Sequence, residues 1–246
     1  MDALGNGVSS SPSNSTAQPG TSFPEFTIVD MVNAQYKFLT GILHLTHLRA
    51  VTGISMGGMQ TFQWMVSYPD FMDNAIPMVG TPRLTTYDLL LWTTELSVIE
   101  ALHGKPDGDR QAMKIIGGIH ALALTTPANV NQQTKPEDFP RFFVDQEKGV
   151  SQFDAIDFAW QLKAMIGHNI YKPFEGSIDK ASSAIKTSTL IIVSRQDHMV
   201  NPEPALELAS RMGAQTLVLT TDCGHLGTGC ENDTISATIA RFLNQK

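Results

Sequence analysis

The sequence predicts an α/β fold, a parallel sheet carrying a helical cap as an insertion. Three observations predict it. Short buried-strand runs recur: "LRAVT" at 48–52, "AIPMV" at 75–79, "STLIIVS" at 188–194 and "QTLVLTT" at 215–221. Helical patterns separate them, and strands joined through helices form parallel sheets. Between about 84 and 185 the strand signal disappears and helical periodicity takes over. The core is thus read as 1–83 and 186–246, and the cap as 84–185.

The elements follow in order. Residues 1–25 are rich in Gly, Ser, Asn and Pro, the composition of a loop or disordered tail. Thr27 opens a helix, because "TIVD" sets Asp30 three residues after a capping hydroxyl. Ile28, Met31, Val32, Tyr36, Leu39, Ile42 and Leu43 continue it at helical spacing. "TFQWMVSYPD" reads as a second helix, stopped by Pro69. Pro77 counts against the strand at 75–79, since proline cannot donate to a sheet ladder. In the cap, "TTYDLLLWTTELSVIEALHG", "RQAMKIIGGIHALAL" and "SQFDAIDFAWQLKAMIG" are helical. "NPEPALELASRMG" is a helix with Asn201 as cap, Pro202 in the first turn and Gly213 as stop. "DTISATIARFL" closes the chain as a helix.

The bulk properties narrow the function. The chain has 246 residues and a net charge of −7. No Lys/Arg cluster is present, which argues against nucleic acid and anionic membranes as partners. No apolar stretch is long enough to span a bilayer. The N-terminus has neither the basic region nor the apolar core of a signal peptide. Two cysteines in so long a chain make no disulfide framework, so Cys223 and Cys230 are expected as free thiols in a cytoplasmic protein.

"GISMGGMQ" at 53–60 puts Ser55 where a strand turns into a helix. Such a turn crowds the backbone, so the residues two before and two after the serine should be small, as Gly53 and Gly57 are. The turn lifts the hydroxyl from the sheet and aims the first helical N–H groups at whatever the serine attacks. Two later strand ends supply an acid and a base: Asp197 in "RQDHMVNP" and His225 in "DCGHLGTGC". Serine needs an imidazole to take its proton, and the aspartate fixes the imidazole tautomer. The order Ser55, Asp197, His225 is that of the α/β-hydrolase superfamily. His198 adjoins Asp197 too closely in sequence to face it. His44, His47, His103, His120 and His168 lie on helices or at their ends and read as structural. Asp222, Cys223, His225 and Cys230 fit no common zinc spacing. No metal or cofactor is expected.

The elbow "GISMGGMQTFQWMVSYPD" and "DALGNGVSSSPSN" at 2–14 resemble the homoserine O-acetyltransferase family of α/β-hydrolases. The resemblance runs from residue 2 to the last helix, loosely in the cap. It implies Ser55 as nucleophile, Asp197 as acid, His225 as base and the Met56 N–H as oxyanion donor. Those transferases follow the histidine with an aspartate that helps hold the substrate amine; Leu226 stands here. Hydrolysis of small acetyl-type esters is therefore the leading expectation. Acetyl transfer from acetyl-CoA to an alcohol is the alternative, with Arg83, Lys105, Arg110 and Lys114 as candidates for coenzyme phosphates. A non-catalytic interaction module is the third reading. Trp92, Met113, Phe158, Trp160 and Met165 are expected to roof an apolar pocket. The resemblance also implies a sheet shortened on its N-terminal side, with Met1 where a fourth strand should end. "LRAVT" should then be an edge, covered by residues 1–25 or by a second copy of the chain.

Overall fold

The computed structural model describes residues 2–245, so the stated position of Met1 lies outside it. Helix α1 (Ile28–Gly41) leads to β1 (Leu48–Ile54), α2 (Met56–Ser67) and β2 (Met72–Met78). Six helices follow: α3 (Thr86–Leu102), α4 (Gly108–Leu124), α5 (Pro127–Gln133), α6 (Phe139–Ser151), α7 (Ala155–Ile166) and α8 (Ile178–Ala184). The chain then returns through β3 (Ser188–Ser194), α9 (Glu203–Met212), β4 (Gln215–Leu219), α10 (Gly227–Cys230) and α11 (Asn232–Leu243). The four strands are all parallel, in the order β1-β2-β3-β4.

Side-chain alternation along the strands builds a core on each face of the sheet. Leu190 and Ile192 of β3 join Ile76 and Met78 of β2 against Ile235 and Phe242 of α11. Ile191 and Val193 point the other way, onto Phe62 and Met65 of α2, Ala205 and Leu208 of α9, and Ala181 of α8. Burial on both faces explains why β3 is an unbroken apolar run. Helices α3, α4, α6 and α7 pack on one another over a core of Trp92, Ile99, Met113, Ile116, Trp160 and Leu162, which runs on into Ile28 and Met31 of α1 and Met59 of α2.

The expected capping box at α1 is joined by a second at α3. Thr27 and Asp30 bond reciprocally at the start of α1, and Thr85 and Asp88 do so at the start of α3. Gly213 closes α9 in the left-handed conformation. That helix begins at Glu203 rather than at Pro202; the Asn201 side chain still accepts the Glu203 N–H at 2.9 Å.

Three expectations need correction. Pro77 lies inside β2, between β1 and β3; burial of this strand outweighs one missing donor. Residues 2–25 are no free tail. The Asp157 carboxylate accepts the Ser13 N–H at 2.9 Å and its hydroxyl at 2.5 Å. Trp160 Nε1 donates to the Phe23 carbonyl at 3.1 Å, and Lys163 pairs with Glu25 at 2.7 Å. This segment therefore covers α7 and leaves β1 alone. The third correction concerns the cysteines: Cys223 and Cys230 form a disulfide, with Cα atoms 6.6 Å apart.

β1 is an edge strand. It pairs with β2, and its other side opens onto a groove of about 410 Å³ lined by Leu48, Ala50, Val51, Gly53, Gln60 and Trp64.

Candidate active site

Because the strands are parallel, β1, β3 and β4 end on the same side of the sheet, where ligands bind in such folds. Ser55 directly follows β1 and precedes α2. Its backbone sits at φ 58° and ψ −119°, a sparsely populated region for a residue with a side chain. The crowding at this elbow falls on Gly53: a Cβ there would meet the Gly57 carbonyl oxygen at 2.3 Å. A Cβ on Gly57 would meet nothing within 4 Å, so the expected crowding two residues after the serine is not found there. Gly58, which the motif alone does not single out, is fixed by neighbours. A Cβ there would meet the Met78 carbonyl oxygen at 2.7 Å and Gly80 Cα at 3.0 Å.

Asp197 lies three residues beyond β3. Its Oδ1 accepts the N–H groups of Met199 at 2.9 Å and Val200 at 2.8 Å. Its Oδ2 lies 2.7 Å from His225 Nδ1, and His225 Nε2 lies 2.9 Å from Ser55 Oγ. Both Asp197 and His225 are buried. This geometry suits the tautomer in which Nδ1–H donates to the carboxylate and Nε2 accepts from the serine hydroxyl. The three predicted residues thus form one hydrogen-bonded chain. Met56 is the first residue of α2, where helical N–H groups have no intrahelical acceptor.

The other predicted residues divide. Trp92 and Met113 are almost completely buried and fill the core of the cap layer rather than line an open cavity. Trp160 is buried in the same core, and Phe158 and Met165 pack on its margin, as does Met56. Phe158 also lines a cavity of about 390 Å³ together with Gly5, Asn6, Gly7 and Val8. Of the four cations, Arg83 pairs with Glu207 at 3.1 Å, and Arg110 with Asp107 three residues away. His47, His103 and His120 bond to Asp73, Asp109 and Glu95. His168 is buried, with Nε2–H directed to the Thr81 carbonyl at 3.1 Å, and burial pushes its pKa down to about 4. His198 bonds to neither Asp197 nor Ser55. Among the described residues no group of three or more His, Cys, Asp or Glu side chains is arranged to hold a metal.

Sequence reasoning missed Asp88. It is fully buried, and its Oδ1 accepts the N–H of Asn201, on the loop that carries Asp197, at 2.9 Å. Thr85 and Asp88 have the spacing of a capping box, but no local signal reveals a bond to a loop 113 residues away.

The chain belongs to the alpha/beta hydrolase fold family, whose model matches residues 1–228. Within it, the chain is similar to an ethyl acetate hydrolase of Pseudomonas veronii, 42% identical over 109 residues, covering 43% of this chain and 30% of that one. It is also similar to a homoserine O-acetyltransferase of Methanosphaerula palustris, 30% identical over 258 residues, covering 93% of this chain and 52% of that one. The chain thus spans about half or less of these two relatives. An acetylester hydrolase from Corynebacterium glutamicum superposes with a TM-score of 0.90 at 22% identity, over 99% of this chain and 75% of that one, which shows the shared fold. Among the described residues no helix is long and apolar enough to cross a membrane.

Proposed function

We propose that this protein carries out serine-dependent acyl transfer, chiefly the hydrolysis of small acetyl-type esters through an acyl-enzyme. The observation that carries the reading is the chain Ser55–His225–Asp197, with contacts of 2.9 and 2.7 Å, hung on a strained strand-to-helix turn. Ser55 Oγ attacks the ester carbonyl carbon while its proton passes to His225 Nε2. Asp197 accepts from Nδ1–H and stabilises the imidazolium. The developing oxyanion faces the Met56 N–H at the positive end of α2. On collapse the alcohol leaves with the proton from Nε2. Water then repeats the sequence, with His225 as base, and releases the carboxylic acid and Ser55.

A second reading replaces that water with an acceptor alcohol, so that acetyl-CoA is the acyl donor and no other cofactor is needed. The similarity to a homoserine O-acetyltransferase over 93% of this chain favours it. Homoserine itself is disfavoured, because Leu226 stands where the transferases carry an aspartate next to the histidine. One experiment tests both readings. A fluorophosphonate should label Ser55, and short-chain nitrophenyl esters should be hydrolysed by the wild type and not by Ser55→Ala. Formation of O-acetylhomoserine from acetyl-CoA and homoserine, in preference to free acetate, would decide for transfer.

A further inference from the structure

We propose that the Cys223–Cys230 disulfide is a positioning device for His225, so that turnover at Ser55 follows the redox state of this bridge. The inference rests on the reading of Ser55 and His225 given above. The two cysteines are the only ones in the chain, and they bracket the histidine.

Apart from the histidine's own contacts, the loop's side-chain hydrogen bonds lie on one side of it. The Asp222 carbonyl accepts from Thr126 Oγ1 at 2.6 Å, and its carboxylate accepts from Gln196 Nε2 at 2.8 Å. Both contacts precede the histidine. Between them and His225 stands Gly224 at φ 61°, the most permissive backbone link available. It sits tightly under the cap, since a Cβ there would lie 3.0 Å from Thr125 Cα. Beyond the histidine, Leu226 is exposed, Gly227 is held by packing against Ser194, Thr221 and Leu219, and α10 is four residues long. The bridge returns the end of α10 to Cys223, immediately before Gly224. It closes the loop covalently around the histidine and limits how far Nε2 can drift from Ser55 Oγ. Cys230 is exposed, so a reductant in solution can reach the bridge.

Opening the bridge takes two electrons and two protons and gives two thiols. With a water-soluble phosphine, the phosphine is oxidised to its oxide and water supplies the oxygen and both protons. In a reducing compartment, cellular dithiols would do the same by exchange, themselves becoming a disulfide. The loop would then keep its fold-level contacts and lose its closure.

The test is to reduce the native protein with the phosphine, count two free thiols, and follow hydrolysis of p-nitrophenyl acetate. The expected result is a fall in kcat of about 10- to 100-fold, because misplacing a reacting group by about 1 Å can cost roughly 10² in rate. KM and the far-UV circular dichroism should hardly change. The low-field proton resonance of His225 Nδ1–H should broaden or vanish on reduction and return on reoxidation, together with activity. The Cys223→Ser/Cys230→Ser variant should match the reduced wild type and ignore the phosphine. A reduced, folded chain with unchanged kcat overturns the proposal, as does a loss of activity that merely parallels unfolding. The two failures separate cleanly. Turnover that survives Ser55→Ala refutes the assignment of the nucleophile, whereas Ser55-dependent turnover indifferent to the bridge refutes the positioning role alone.

Discussion

Asp88 Oδ1 accepts the N–H of Asn201 at 2.9 Å, while Asp88 Oδ2 accepts the Thr85 N–H at 2.7 Å. One fully buried carboxylate therefore caps α3 and ties the loop that carries Asp197 to the first turn of the cap. Asp88→Ala breaks the capping box and leaves the half-buried N–H groups of Thr85 and Asn201 without acceptors, toward the low end of about 1–3 kcal/mol each. The expected loss of stability is about 2–4 kcal/mol by urea unfolding. Activity should fall about tenfold or more in the still-folded chain, since the acid's loop is displaced. Asp88→Asn, which keeps an acceptor oxygen, should recover part of both.

Asp197→Asn would keep the shape of the acid and present an amide to His225. The amide cannot hold Nδ1 protonated as a carboxylate does. We expect kcat for a nitrophenyl ester to drop by about 10⁴ with the fold intact, as in other Ser-His-Asp sites. A drop of less than tenfold would exclude Asp197 as the acid.

His168 gives the stability a pH dependence. Burial lowers its pKa to about 4 from an ordinary 6.5. The unfolded chain therefore binds a proton that the folded chain refuses. The stabilisation is complete above about pH 6.5 and drains away as the pH falls toward 4. Over that window the cost is about 3 kcal/mol, at about 1.4 kcal/mol per pH unit. Comparing urea unfolding of wild type and His168→Gln between pH 7 and 4.5 isolates it. The difference between the two curves should shrink steadily with acid; a constant difference would count against a buried neutral imidazole.

The free side of β1 is an invitation to pair, because an edge strand presents unused backbone donors and acceptors. Ile42, Leu43 and Leu45, just before it, and Ile54, at its end, are exposed apolar side chains. We expect the isolated chain to associate reversibly with itself through this edge as protein concentration rises. Sedimentation velocity should show the association, and Val51→Lys, in the groove beside the strand, should reduce it. A chain that stays monomeric at high concentration would argue against self-pairing.

Much of this arrangement is legible in the sequence, and the reasons are local. The capping box at Thr27, the αL stop at Gly213 and the glycine-flanked Ser55 depend on neighbours within a few residues. Asp197 and His225 are legible because each follows a strand, and parallel strands deliver their ends to one place. What is hidden depends on packing across the chain. Pro77 is accepted in β2 because both flanks of that strand are covered. Residues 2–25 look disordered by composition, and their long-range partners, Asp157, Trp160 and Lys163, all lie far along the chain on α7. Cys223 and Cys230 match no framework pattern; the turn at Gly224–Leu226 and the short α10 bring them together.

The positive φ of Ser55 carries a price in folding free energy. A backbone held at φ 58° and ψ −119° costs an L-residue about 1–3 kcal/mol, whereas glycine adopts it with little strain. Ser55→Gly should therefore be an inactive protein that melts at a higher temperature than the wild type. Selection for thermal robustness alone would drive this position away from serine. That it is a serine places activity and stability in opposition at a single residue.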